Sequence, residues 1–231
     1  DATSGEARET AACKRANAVL TLTLLGSSEE LWPCLGRATD ESARTYLIHS
    51  LGPKGIDPLL LLGRLEREED AAIVQALLLS LGEYSPLHCP VSLRQSVADL
   101  AWRLFCDHPH PGVHSAAEWI LRKWGDDECL AHEHQAPAPS APEVERRWYV
   151  TSQGHTMAVF VGPMEFEMGS PPSESGRLDD EHLHRRRINR TFALATKETT
   201  QAQFRHFCKG HVRGEQFPFD QCPVGNVSQA D

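Results

Sequence analysis

Cysteine and histidine are the side chains of this 231-residue sequence best suited to metal or nucleophile chemistry. The seven cysteines (Cys13, Cys34, Cys89, Cys106, Cys129, Cys208 and Cys222) are odd in number and show no C-x-x-C spacing. That pattern fits neither a disulfide framework nor a zinc site, so the thiols read as ordinary buried side chains. His108, His110 and His114 lie close together, as do His132 and His134. Two imidazoles four residues apart can share an ion when both stand on one helix face. Here Pro111 and Gly112 place His110 and His114 at a helix entrance, so the pair reads as surface polar residues. Asp179, Asp180 and Glu181 have the hard oxygen ligands that calcium takes, but a solvated loop is the simpler expectation. Arg185, Arg186, Arg187 and Arg190 form the one basic patch, directly after those acids, and read as a self-neutralised surface hairpin or loop. There is no Gly-rich phosphate loop, no G-x-S-x-G and no H-E-x-x-H. No residue is therefore assigned a catalytic, cofactor-binding or metal-binding role.

The charge balance bounds the partners. Formal net charge is −9, with 12 basic against 20 acidic side chains in residues 1–142 and 11 against 12 in residues 143–231. An acidic first half disfavours a phosphate backbone, so no nucleic-acid partner is expected. No run of about 18 apolar residues is present, so no membrane segment is expected within the chain, and no charged-then-apolar opening reads as a signal peptide.

The elements that must position these residues fall into two kinds. From Glu6 to Gly125 the apolar spacing is helical. Cys13, Ala16, Leu20 and Leu24 make one face of a first helix that ends at Gly26, and a short second piece surrounds Leu31–Leu35, with Ser27 and Ser28 as cap candidates. Asp40–Gly52 and Asp70–Gly82 share Asp at the start, Leu at the eighth and twelfth places and Gly at the thirteenth. Asp accepts the free N–H groups of a first turn, and Gly takes a left-handed conformation after a last one, so each reads as a helix bracketed at both ends. Asp57-Pro58 opens a helix between them. Leu93, Val97, Leu100 and Leu104 mark the next helix, and Val113, Ala116, Ala117, Ile120, Leu121 and Trp124 the last, closed by Gly125. Gly52 and Gly82 stand 30 residues apart but Gly82 and Gly125 stand 43, an irregular repeat. This half resembles HEAT-type repeats; a plain helical bundle is the alternative. Either reading offers a surface for a protein or peptide partner, or a passive support for the neighbouring domain.

Residues 126–145, with Ala136-Pro-Ala-Pro-Ser-Ala-Pro142, read as an extended proline-spaced linker. Strands are then expected at Arg147–Val150, Thr156–Val161, Met164–Met168, near Arg186–Ile188 and at Phe192–Ala195. Met164, Phe166 and Met168 alternate with Glu165 and Glu167, as a strand with one buried face would. Thr200-Gln-Ala-Gln203 reads as a capping box opening a helix whose buried face holds Phe204, Phe207 and Cys208, with Gly210 beyond its end. Ser228–Asp231 repeats the cap pattern where the chain stops, so the second domain reads as unfinished.

Met168-Gly-Ser-Pro-Pro-Ser-Glu, Arg177-Leu-Asp-Asp-Glu, His184-Arg-Arg-Arg-Ile188, Phe192–Phe204 and Pro223-Val-Gly-Asn-Val-Ser228 together resemble the opening third of the sulfatase-modifying-factor, or formylglycine-generating-enzyme-like, family. The resemblance covers Arg146 to Asp231. It implies an α+β chain: HEAT-like helical hairpins over 1–125, a linker over 126–145, and over 146–231 an incomplete mixed domain of C-type-lectin-like fold. The family's oxidases turn a substrate cysteine into formylglycine with oxygen and copper(I) on paired cysteines, soft ligands suited to that ion. Those cysteines belong to the family's C-terminal part, so the resemblance implies a fragment without catalysis, cut from a parent oxidase of this kind. Sulfoxide synthases that share the fold bind iron through His-x-x-x-His-x-Glu; His110 and His114 keep the first spacing, but Ala116 stands at the Glu position. Gln229 stands where relatives carry an aromatic residue. The alternative implied is a non-catalytic recognition or regulatory module, as in bacterial serine/threonine kinase fusions.

Overall fold

The computed structural model describes residues 2–38, 41–85, 89–125, 146–172, 174, 176–211, 219–225 and 227. The expected cap Asp40, the linker 126–145 with Cys129, His132 and His134, and the helix start at Ser228–Asp231 lie outside the described residues. The described chain mixes helices with small antiparallel sheets, an α+β structure.

Among the described residues, seven helices make up the first half: α1 (Ala2–Leu24), α2 (Leu31–Leu35), α3 (Ser42–Ser50), α4 (Pro58–Leu65), α5 (Ala71–Gly82), α6 (Val91–Asp107) and α7 (Pro111–Trp124). Among these, α5 is apolar on nearly every face, as a helix enclosed by others must be, and it packs on α2, α3, α4 and α7. Leu31, Leu47, Leu61, Leu77, Leu81 and Ile120 form part of one continuous core. The caps of α4 and α5 follow the sequence: Asp57 accepts from the N–H of Leu59, and Asp70 from those of Ala72 and Ile73. α2 starts instead at Glu30, with no side-chain cap.

Two glycine expectations are corrected. Neither Gly52 nor Gly82 takes the left-handed conformation; after α3 that role falls to Gly55 (φ 80°). Gly82 ends α5 in a helical backbone, and its missing side chain admits Trp119 of α7. A β-carbon there would lie 2.0 Å from the indole ring. The glycine serves packing between helices, which spacing alone does not distinguish from a cap. Gly26 and Gly125 are left-handed, as expected. On α6 the buried stripe is Leu93, Val97, Ala101 and Phe105; Leu100 and Leu104 are only half-buried, because the stripe follows i, i+4 spacing throughout.

The second half holds β1 (Trp148–Val150), β2 (Thr156–Phe160), β3 (Met164–Met168), β4 (His184–Ile188), β5 (Phe192–Ala195) and α8 (Gln201–Phe207). One sheet has the order β1-β2-β5 and the other pairs β3 with β4, all antiparallel. The capping box of α8 forms as read: Thr200 accepts from the Gln203 N–H and Gln203 from the Thr200 N–H. The buried faces expected of β3 and α8 do not form among the described residues. Phe166 and Met168 are exposed, Phe207 is 76 % exposed, and α8 buries only Gln201. Among the described residues of this half, Trp148, Val150 and Ala158 are the buried apolar ones, and they sit where its sheet meets the helices.

Candidate functional site

The junction of the two halves is built around Trp148. Its ring stacks on His114, with centroids 3.6 Å apart, and His114 stacks in turn on Phe105 at 4.4 Å. The Arg146 guanidinium covers Trp148 at 4.1 Å from the ring centroid, a cation–π contact. The indole N–H donates to the His108 carbonyl at 2.8 Å, and the Arg147 N–H to the Pro109 carbonyl at 3.0 Å. Strand β1 is thus fastened to the turn between α6 and α7.

His114 is 1 % exposed, which corrects its reading as a surface residue. The α6–α7 turn folds its ring inward, and stacking on two aromatics supplies a burial that periodicity does not announce. Nδ1 lies 2.8 Å from the Phe105 carbonyl and so carries the proton. Nε2 is then a bare acceptor, buried and without a partner among the described residues. Burial pushes the imidazole pKa down to about 4, against the opposing pull of the Phe105 carbonyl and Glu118. His110 caps α7, Nδ1 accepting from the Gly112 N–H, and His108 Nδ1 accepts from the His110 N–H. Burial lowers both pKa values, so both stay neutral acceptors.

One turn beyond His114 on α7, Glu118 carries a nearly buried carboxylate. Arg122 Nε donates to one oxygen at 2.9 Å, and Lys197, from the loop after β5, to the other at 2.5 Å. Burial opposes the charge, but Lys197 first and then Arg122 outweigh it, and the carboxyl titrates below its ordinary range. This ion pair is the second tie between the halves. Around it opens a cleft of about 720 Å³, walled by α7 on one side and by Gln153, Thr156, Thr196, Gln203 and Gln221 on the other. Neutral hydrogen-bonding side chains make up half of the lining residues, and the Thr196 hydroxyl is buried with no partner among the described residues. A second groove, of about 820 Å³, lies between α1, α3 and the loop after β3. Its Tyr46 hydroxyl already donates to Glu9. The junction cleft is the stronger candidate because the Glu118 carboxylate in its floor is buried and held from both sides.

The other residues singled out in the sequence do not gather there. Arg185 and Arg187 share Glu165 across the β3–β4 ladder, so these two arginines meet an acid of the facing strand and not the acids before them. Glu181 is bound by the Ser170 hydroxyl, and Asp179 and Asp180 are exposed. Cys208 and Cys222 are half-buried, Cys208 with an exposed Phe207 beside it. Among the described residues no group of three or more His, Cys, Asp or Glu side chains is placed to hold a metal. No described helix is long and apolar enough to cross a membrane. The residues that build the junction, Trp148, Glu118 and Lys197, carried no spacing signal; the one available hint was a tryptophan directly after Arg146-Arg147.

No family model, curated protein or solved structure matches the chain.

Proposed function

We propose that the chain is a recognition unit in which a helical arm and the opening strands of a formylglycine-generating-enzyme-like domain jointly hold a polypeptide segment in the junction cleft. The supporting observation is that Glu118 of the arm and Lys197 of the strand half meet at 2.5 Å in the floor of one polar cleft, so a ligand there contacts both halves at once. Glutamine and threonine side chains suit the amide groups of a main chain, being donors and acceptors without net charge. The family assignment draws its support from the motif order over Arg146–Asp231. Catalysis lies outside this reading, because the copper-binding cysteines of the family's oxidases do not map onto residues the resemblance covers.

The test is binding without turnover. Cysteine-containing peptides are titrated into the chain, and the products are then analysed by mass spectrometry in the presence of Cu(I) and oxygen. Saturable binding that is lost in Lys197→Ala, with helical circular dichroism retained, and no formylglycine product is the expected result. Binding indifferent to Lys197→Ala removes the cleft from the proposal, and formylglycine production overturns the non-catalytic reading.

A further inference from the structure

Among the described residues, strand β5 is the outer strand of its sheet. The Thr196 N–H donates to the Thr156 carbonyl at 2.9 Å, so residues 156 and 196 form a hydrogen-bonded pair. Alternation along an antiparallel ladder makes Ala158 with Leu194, and Phe160 with Phe192, hydrogen-bonded pairs too. The N–H and C=O groups of Ala193 and Ala195 therefore point away from β2, along the open edge. Beside that edge stand Leu194, 55 % exposed, and the stacked rings of Phe160 and Phe192, centroids 5.2 Å apart.

We propose that β5 pairs antiparallel with β5 of a second copy of the chain, about a two-fold axis through Leu194, giving one continuous six-stranded sheet. The outward groups are self-complementary in that register, which keeps every new bond within β5: Ala193 exchanges both hydrogen bonds with Ala195 of the second copy, and Ala195 with its Ala193. Leu194 then faces Leu194 on the side of the sheet that carries Phe192, covering the exposed apolar strip. Arg190 and Glu198 flank β5, each four residues from Leu194, so the pairing brings Arg190 toward Glu198 of the second copy, twice by symmetry. Neither Arg190 nor Glu198 makes an ion pair among the described residues. A self-matching edge, apolar contact at the axis and opposite charges at both ends make a second copy the occupant of this edge.

Light scattering on the full chain reads the outcome directly. The expected mass is twice 25.7 kDa, falling to the monomer on dilution. Ala193→Pro removes an outward N–H while leaving the bonds to β2 in place, and is expected to give a monomer with unchanged circular dichroism. Arg190→Glu and Glu198→Arg each weaken association about tenfold, and the double reversal restores it. Leu194→Cys forms a cross-linked dimer on mild oxidation, since facing residues in a non-hydrogen-bonded pair lie within disulfide reach. A monomer at the highest soluble concentration overturns the proposal. So does a dimer that survives Ala193→Pro, or charge reversals whose effects simply add.

Discussion

At the scale of single residues, two side chains of α7 test the packing account. Replacing Gly82 by alanine pushes a methyl into the Trp119 ring, and two helices cannot separate locally without opening the core. The expected loss is about 2–3 kcal/mol, the usual range for overpacking, read from urea unfolding. At Gly52 the corresponding carbon would meet Tyr84 at 3.2 Å, a side chain better able to shift, and a smaller loss is expected. The neighbouring case is electrostatic. His114 has a folded pKa of about 4 and an ordinary unfolded value near 6.5. The unfolded chain therefore takes up the proton first as pH falls. Stability from neutral His114 is complete above about pH 6.5, declines between there and pH 4, and is flat below. The full loss is on the order of 3 kcal/mol. His114→Phe keeps the stack and removes the titration, so its urea midpoint should vary less over that interval than the parent's; an unchanged slope would reject the assignment. Neither effect was visible in the sequence. A glycine twelve places after an aspartate looks alike whether it caps or makes room, and a histidine at a helix entrance looks solvated until two aromatic rings close on it.

At the scale of elements, the helices were largely legible because their ends carry chemistry. Asp57 and Asp70 cap α4 and α5, and Thr200 with Gln203 caps α8. Asp70→Ala leaves the Ala72 and Ile73 N–H groups without their acceptor and should lower stability by about 1 kcal/mol, whereas Asp70→Asn should recover most of it. Strand limits were also readable, within one or two residues, from alternation and from the Gly162-Pro163 turn. What failed was the inference from alternation to burial. Met164, Phe166 and Met168 do share a face, but among the described residues β3 pairs with β4 alone, and a two-stranded ribbon has no layer of its own to cover that face. Alternation reports which residues point the same way; what lies opposite depends on elements far away in sequence.

At the scale of the whole molecule, the helical half owns a continuous core, while the strand half buries Trp148, Val150 and Ala158 chiefly where the sheet meets the helices. The strand half therefore draws its order from docking. Residues 1–125 alone are expected to unfold cooperatively near the parent's transition, and residues 146–231 alone to give poorly dispersed amide spectra. Trp148→Ala should split the single transition of the chain in two, the strand half melting first; one unsplit transition would show that the junction does not hold it. That helices give way to strands along the chain was readable from the change between helical and alternating patterns. The junction was not, because its contacts join residue 114 to 148 and 118 to 197, pairs with no local signature.

The seam at Trp148 also constrains how such chains can diverge. An indole needs a flat partner of matching size, so a change at position 148 is tolerated only with an accompanying change at position 114. Likewise a neutral residue at 197 strands the carboxylate at 118 unless that too is replaced. In an alignment of related chains these two pairs should vary in concert, while the exposed arginines of β4 drift independently of the helices.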